Sequence, residues 1–149
     1  MAQSRDVYAM NFKMLAATAF VASALAAPAM AGDPTGLWQT QTNNGQVRIE
    51  RCGNALCGSI VTSDQIRAQP DQKDVRNKDS ALRNRTLRGL RILSGFTGGP
   101  SEWRGGTVYK PDNGNTYRGT ITMPNDNTLR LRGCVREPLC SNQTWTRIQ

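Results

Sequence analysis

From Gly36 onward the chain alternates apolar and polar side chains at a period of two, and Gly, Pro, Asn and Asp break the alternation at short intervals. Such a pattern restricts the chain to antiparallel strands joined by tight turns, because a helix needs its apolar residues at a period near 3.6. Residues 36–41 read as the first strand, Asn43-Asn44-Gly45 as a hairpin turn, and residues 46–52 as the second strand with Val47 and Ile49 inward. Residues 58–62 and 86–93 read as the third and fourth, with the glycine-rich stretch 94–100 as the connection that follows. That connection lacks the spacing of a phosphate-binding motif. In the fifth strand, 102–109, the paired Gly105 and Gly106 suit a bulge. Turns at 111–114 and 124–127 lead to strands at 115–123, 128–133 and 141–148, a total of about eight. A meander of that size closes most economically into an all-β, up-and-down antiparallel barrel, which leaves no strand edge exposed; a sandwich is the structural alternative.

The polar stretch 63–81 interrupts the alternation. It carries Asp64, Asp71, Asp74 and Asp79 around Pro70, and reads as a long loop with at most one helical turn, capped by Asp79 or Ser80.

Ahead of the barrel pattern, Lys13 precedes an apolar run at 14–25, then Pro28 and the small-residue box Ala29-Met30-Ala31. This is the pattern of a secretory signal peptide cleaved after Ala31, and Met10 is as serviceable a start as Met1. The expectation is a leader, 1–31, and one barrel domain, 32–149, in the periplasm or outside the cell, with no membrane span after cleavage. The four cysteines, Cys52, Cys57, Cys134 and Cys140, all follow the leader. In an exported chain an even count implies disulfides. Cys52 with Cys57 and Cys134 with Cys140 is the favoured pairing, since each pair brackets a short turn-like segment. A zinc site built from both pairs is the alternative, and the spacings of four and five intervening residues together with export argue against it.

The sequence contains no histidine. That removes the usual general base, the Ser-His and Cys-His nucleophile pairs and the commonest transition-metal ligand. No catalytic residue, metal ligand or cofactor is therefore assigned, and an enzyme is the least favoured class. Without Arg5, Lys13 and Asp6 of the leader, the 19 basic and 11 acidic side chains become 17 and 10. Such a surface suits an anionic envelope component, or only a solvated exterior. Specific nucleic-acid binding is not expected, because the tryptophans sit in strand patterns and not as stacking platforms among the arginines.

The two ends of the barrel pattern answer each other. Gly36-Leu37-Trp38 opens it and Trp145-Thr146-Arg147 closes it, so Trp38 and Arg147 are expected to meet as a cap, with the guanidinium on the indole contributing about 0.5 to 2 kcal/mol. This arrangement resembles the closed end of lipocalin and avidin barrels. Further blocks extend the likeness: the run 47–53 with Leu56-Cys57-Gly58, Asp74 with Asn77, the stretch 82–93 with Arg83, Arg85 and Gly89, then Trp103 to Tyr117 with its glycines, and Leu131-x-Gly133-Cys134. Together these resemble the family of exported bacterial proteins known as domain of unknown function 2147. The resemblance implies a small lipocalin-like barrel and no established reaction. Lys78 and Thr86 stand where the family pattern has proline.

Two sets of residues are candidates for function. In the barrel interior, Trp38, Trp103, Tyr109, Tyr117, Ile121, Leu129 and Leu131 line either a filled core or a pocket for a small lipophilic or anionic ligand. In the long loop, Asp74, Asn77, Arg83 and Arg85 fall in a family block outside the strands, the kind of position that binding uses. A periplasmic ligand-binding barrel leads, and an envelope interaction or structural module without a pocket is the second reading.

Overall fold

A computed structural model describes residues 32–149; the expected leader, its cleavage site and the choice of start lie outside the described residues. Eight antiparallel strands follow one another in space as in sequence and close into a barrel. They are β1 (Gly36–Gln39), β2 (Gln46–Cys52), β3 (Ala55–Thr62), β4 (Arg91–Gly98), β5 (Glu102–Lys110), β6 (Asn115–Asn125), β7 (Thr128–Arg136) and β8 (Leu139–Arg147). Closure comes from β1 against β8, which sets Trp38 opposite Arg147 and Gln39 opposite Thr146.

Alternation decides what faces in. Val47 and Ile49 of β2, Ile121 of β6, and Leu129 and Leu131 of β7 are buried in one core, while Arg48, Arg130 and Arg132 between them stay exposed. A barrel with its apolar side chains inside and its arginines outside has the opposite polarity to one embedded in lipid. Among the described residues no helix is long and apolar enough to cross a membrane.

Two expectations about the strands are corrected. The fourth strand lies at 91–98 and not at 86–93. Leu87 and Leu90 leave the strand pattern to join Ile66 in a second apolar cluster, packed against Ile60, Ile92 and Tyr109. The stretch expected to be a connection supplies Phe96, which is fully buried in the main core. Phe96 fits because its ring lies where Cβ atoms on Gly106 and Gly119 would stand, 2.4 and 2.7 Å from the nearest ring atoms. The glycines are steric vacancies for an aromatic ring. Likewise β3 begins at Ala55, so the turn after Cys52 is only Gly53-Asn54, and the Cys52–Cys57 disulfide spans paired strands. Cys134 and Cys140 are bonded across the β7–β8 hairpin, where they are direct cross-strand partners.

The long connection between β3 and β4 is a strap and not a bare loop. It starts with the helix α1 (Asp64–Ala68), capped by the Ser63 side chain, which accepts from the Ile66 backbone amide, and it buries Ile66. Later, Asp79 caps a short 3₁₀ turn, Ser80–Leu82, at the place the sequence suggested.

Candidate functional site

The two ends of the barrel are built differently. At one end Trp38 is fully buried, its indole Nε1 donating to the Pro34 carbonyl at 2.9 Å. Arg147 lies over it, with its guanidinium carbon 4.3 Å from the ring centroid. The same guanidinium donates to three backbone carbonyls, Asp126, Thr35 and Asp33, at 2.6 to 2.7 Å. Planar fork geometry makes this possible, since an ammonium would offer a point charge and no fixed set of directions. Gly36 holds φ at +129°, and a Cβ there would lie 2.8 Å from the Arg147 Nη1. Glycine is thus required both by conformation and by the close approach of the arginine. Beside this cap, the backbone amide of Thr35 holds the Asp33 carboxyl below its ordinary range, with Arg51 and Arg147 adding to the effect.

The other end is hollow. Four strands in succession place small residues in one interior row: Gly106 of β5 pairs with Gly119 of β6, Gly119 with Gly133 of β7, and Gly133 with Ser141 of β8. Phe96 fills the space over the first two. Over Gly133 and Ser141 a cavity of about 480 Å³ remains. Its floor is apolar, from Ile92, Val108, Leu131 and Trp145, and its wall carries Tyr117, Ser141 and Gln143. Thr42 and Asn43 of the β1–β2 turn and Pro111 and Asp112 of the β5–β6 turn form its rim. The wall is held in place locally: Trp145 Nε1 donates to Gln143 Oε1 at 2.9 Å, and Asn113 Nδ2 donates to the Tyr117 hydroxyl at 2.7 Å.

The strap leans on this end. Gly114, with φ at +69°, lies so close to the Arg76 carbonyl that a Cβ would overlap it, and Arg76 donates back to the Asp112 carbonyl. Asp74, almost wholly buried, is the hub: its Oδ2 accepts from Asn77 Nδ2 at 2.8 Å and from Arg85 Nε at 3.0 Å, and its Oδ1 accepts from the Tyr109 hydroxyl at 2.6 Å. Asn77 Nδ2 also donates to the Tyr109 oxygen at 2.9 Å, and Arg83 Nε donates to the Asn77 carbonyl at 2.8 Å. The Arg85 guanidinium lies 5.5 Å from the Tyr109 ring centroid. Burial, followed by the hydrogen bond to Asp74 and its charge, pushes the Tyr109 phenol above the ordinary tyrosine range.

Of the residues selected from sequence, Tyr109, Tyr117 and Leu131 line the cavity. Trp38, Trp103, Ile121 and Leu129 do not; they pack in the main core without reaching the cavity. Asp74, Asn77, Arg83 and Arg85 come together, but as the clamp of the strap on Tyr109 and not as cavity wall. Sequence reasoning missed Ser141, Gln143, Val108 and Ile92. Their signal was available only through register, because a residue two places from Trp145 on an inward face becomes wall once Trp145 is floor. Cys134, Glu137 and Cys140 gather at the β7–β8 hairpin, and the two sulfurs are joined to each other there.

Over residues 36–147 the sequence matches the family model described as an uncharacterized protein conserved in bacteria (DUF2147). A solved structure described as a protein of the lipocalin family, from the human pathogen Helicobacter pylori, is similar in fold. Its TM-score is 0.72 at 21% identity, covering 78% of this chain and 84% of that one. No curated protein matches the sequence.

Proposed function

The chain belongs to the DUF2147 family, and from that premise we propose that it is an exported binding protein, holding a small lipophilic or anionic molecule in the open end of its barrel. The observation that carries this reading is the row of small residues, Gly119, Gly133 and Ser141, beneath a cavity of about 480 Å³. Side chains of ordinary size on those strands would fill the barrel, and a cavity of some hundreds of Å³ with an apolar floor and a few polar groups is the usual form of a small-molecule site. The apolar part of the ligand rests on Leu131 and Trp145, and its polar group meets Tyr117, Ser141 or Gln143. Export is supported by the leader pattern at 1–31 and by the two disulfides, which persist in oxidising compartments.

Titration with the lipophilic anion 1-anilinonaphthalene-8-sulfonate tests the site. Saturable binding at one site is expected, with quenching that disappears in Trp145→Phe, because Trp145 is the tryptophan on the cavity floor. Gly133→Phe should weaken the binding about tenfold or more while leaving the fold intact, since a Cβ there meets only Tyr117 Cβ at 3.6 Å. Unsaturable binding, or equal affinity in Gly133→Phe, refutes the proposal.

A further inference from the structure

Five large apolar side chains are exposed among the described residues, and they are not spread evenly. Val75 and Leu82 lie on the strap, and Val135 and Leu139 on the β7–β8 hairpin, all at the end where the cavity opens. Val75 and Val135 are 66% and 69% exposed and Leu139 is 57% exposed, too much to be part of any core. Only Ile148 lies at the capped end. The same open end is basic: residues 63–90 hold seven basic and four acidic side chains. Lys73, Arg76 and Lys78 of the strap, and Arg136 beside Val135, are exposed and have no carboxylate within salt-bridge reach among the described residues. Both supports are rigid, the hairpin through Cys134–Cys140 and the strap through Asp74.

We infer that the open end is a docking face for an anionic lipid bilayer, with Val75, Val135 and Leu139 entering the headgroup layer while Lys73, Lys78 and Arg136 meet lipid phosphates. Exposed aliphatics ringed by cations are what interfacial binding needs, because apolar burial and attraction to anionic headgroups add. The barrel wall does not offer this, since its exposed positions, such as Arg118, Arg130, Arg132 and Thr144, carry no large aliphatic side chain. Docking by this end sets the cavity mouth against the membrane, so a lipophilic ligand can pass between bilayer and barrel without crossing water. In that respect the inference rests on the proposed binding function, although docking itself does not require the cavity.

Flotation of the purified protein with phosphatidylglycerol vesicles and with phosphatidylcholine vesicles, at low and at moderate salt, tests this. Binding to phosphatidylglycerol is expected, weakened by salt and far weaker on phosphatidylcholine. Val135→Ser with Leu139→Ser should lower the bound fraction about tenfold or more, and Lys73→Glu with Lys78→Glu should do the same through charge. Ile148→Ser at the capped end should change nothing. The cavity variant Gly133→Phe should still float with the vesicles even where it has lost the naphthalene probe, which separates docking from ligand binding. Absence of wild-type binding to phosphatidylglycerol, equal binding by the Val135/Leu139 variant, or loss of docking in Gly133→Phe overturns the inference.

Discussion

The capped end and the open end of this barrel use the same materials, an aromatic ring and an arginine, for opposite purposes. At the capped end Arg147 covers Trp38 and spends its donors on three backbone carbonyls, so first strand, last strand and the segment before the barrel are tied at one point. At the open end Arg85 approaches Tyr109 but reaches a buried carboxylate, Asp74, on a strap that lies outside the strand order of the barrel. The first arrangement holds the barrel together; the second holds a cover beside a cavity. Under the proposed function, stability and binding fall to separate ends, which is the general logic of a rigid scaffold carrying a site on its connections.

The largest expected effect lies at the capped end. Trp38→Ala removes a fully buried indole and strands a guanidinium, and should cost about 3 to 5 kcal/mol in denaturant unfolding. Probe binding per folded molecule should be unchanged, and a loss of binding without loss of stability would reverse the assignment of the two ends. Asp74→Ala comes next. It leaves Asn77, Arg85 and the Tyr109 hydroxyl without their shared acceptor, and about 2 to 4 kcal/mol should be lost. Hydrogen exchange should show that loss in the strap, with β1 and β8 still protected; uniform deprotection would mean that the ends are not separable. Opening the Cys52–Cys57 disulfide with the paired serine substitutions should cost about 2 kcal/mol, given the short loop it closes.

The smallest effect is one of pH. The Tyr109 phenol titrates above its unfolded value, so its contribution is complete below the unfolded pKa, near 10, and fades as pH rises through the higher folded value. Alkaline titration should therefore loosen the strap before the cap. Tyr109→Phe should abolish that selective loosening, which hydrogen exchange near pH 10 and above would read.

How much of this was legible beforehand differs between the same two ends. The cap was readable because Gly36, Trp38 and Arg147 are near the first and last strand signals, and closing a meander brings those strands together whatever happens between them. The short disulfides were readable for a related reason, since hairpin partners are close in sequence as well as in space. The open end depends on register and on distant pairings. Gly106 reads singly as a bulge residue and Gly119 and Gly133 as ordinary strand positions, and only cross-strand pairing turns the three into one row. Phe96 sat in a stretch whose glycines suggested a loop, and the strand shift that buries it follows from space left on two other strands. Asp74 and Tyr109 are separated by 35 positions, and nothing local in either segment announces their contact.

The most direct test of a packed end opposite a hollow one is anomalous diffraction from crystals soaked in a brominated fatty acid. Bromine density is expected inside the barrel between Trp145 and Tyr117, above Gly133, with none beneath Arg147. Bromine confined to the outer surface, or lodged beside Trp38 at the capped end, would contradict this expectation.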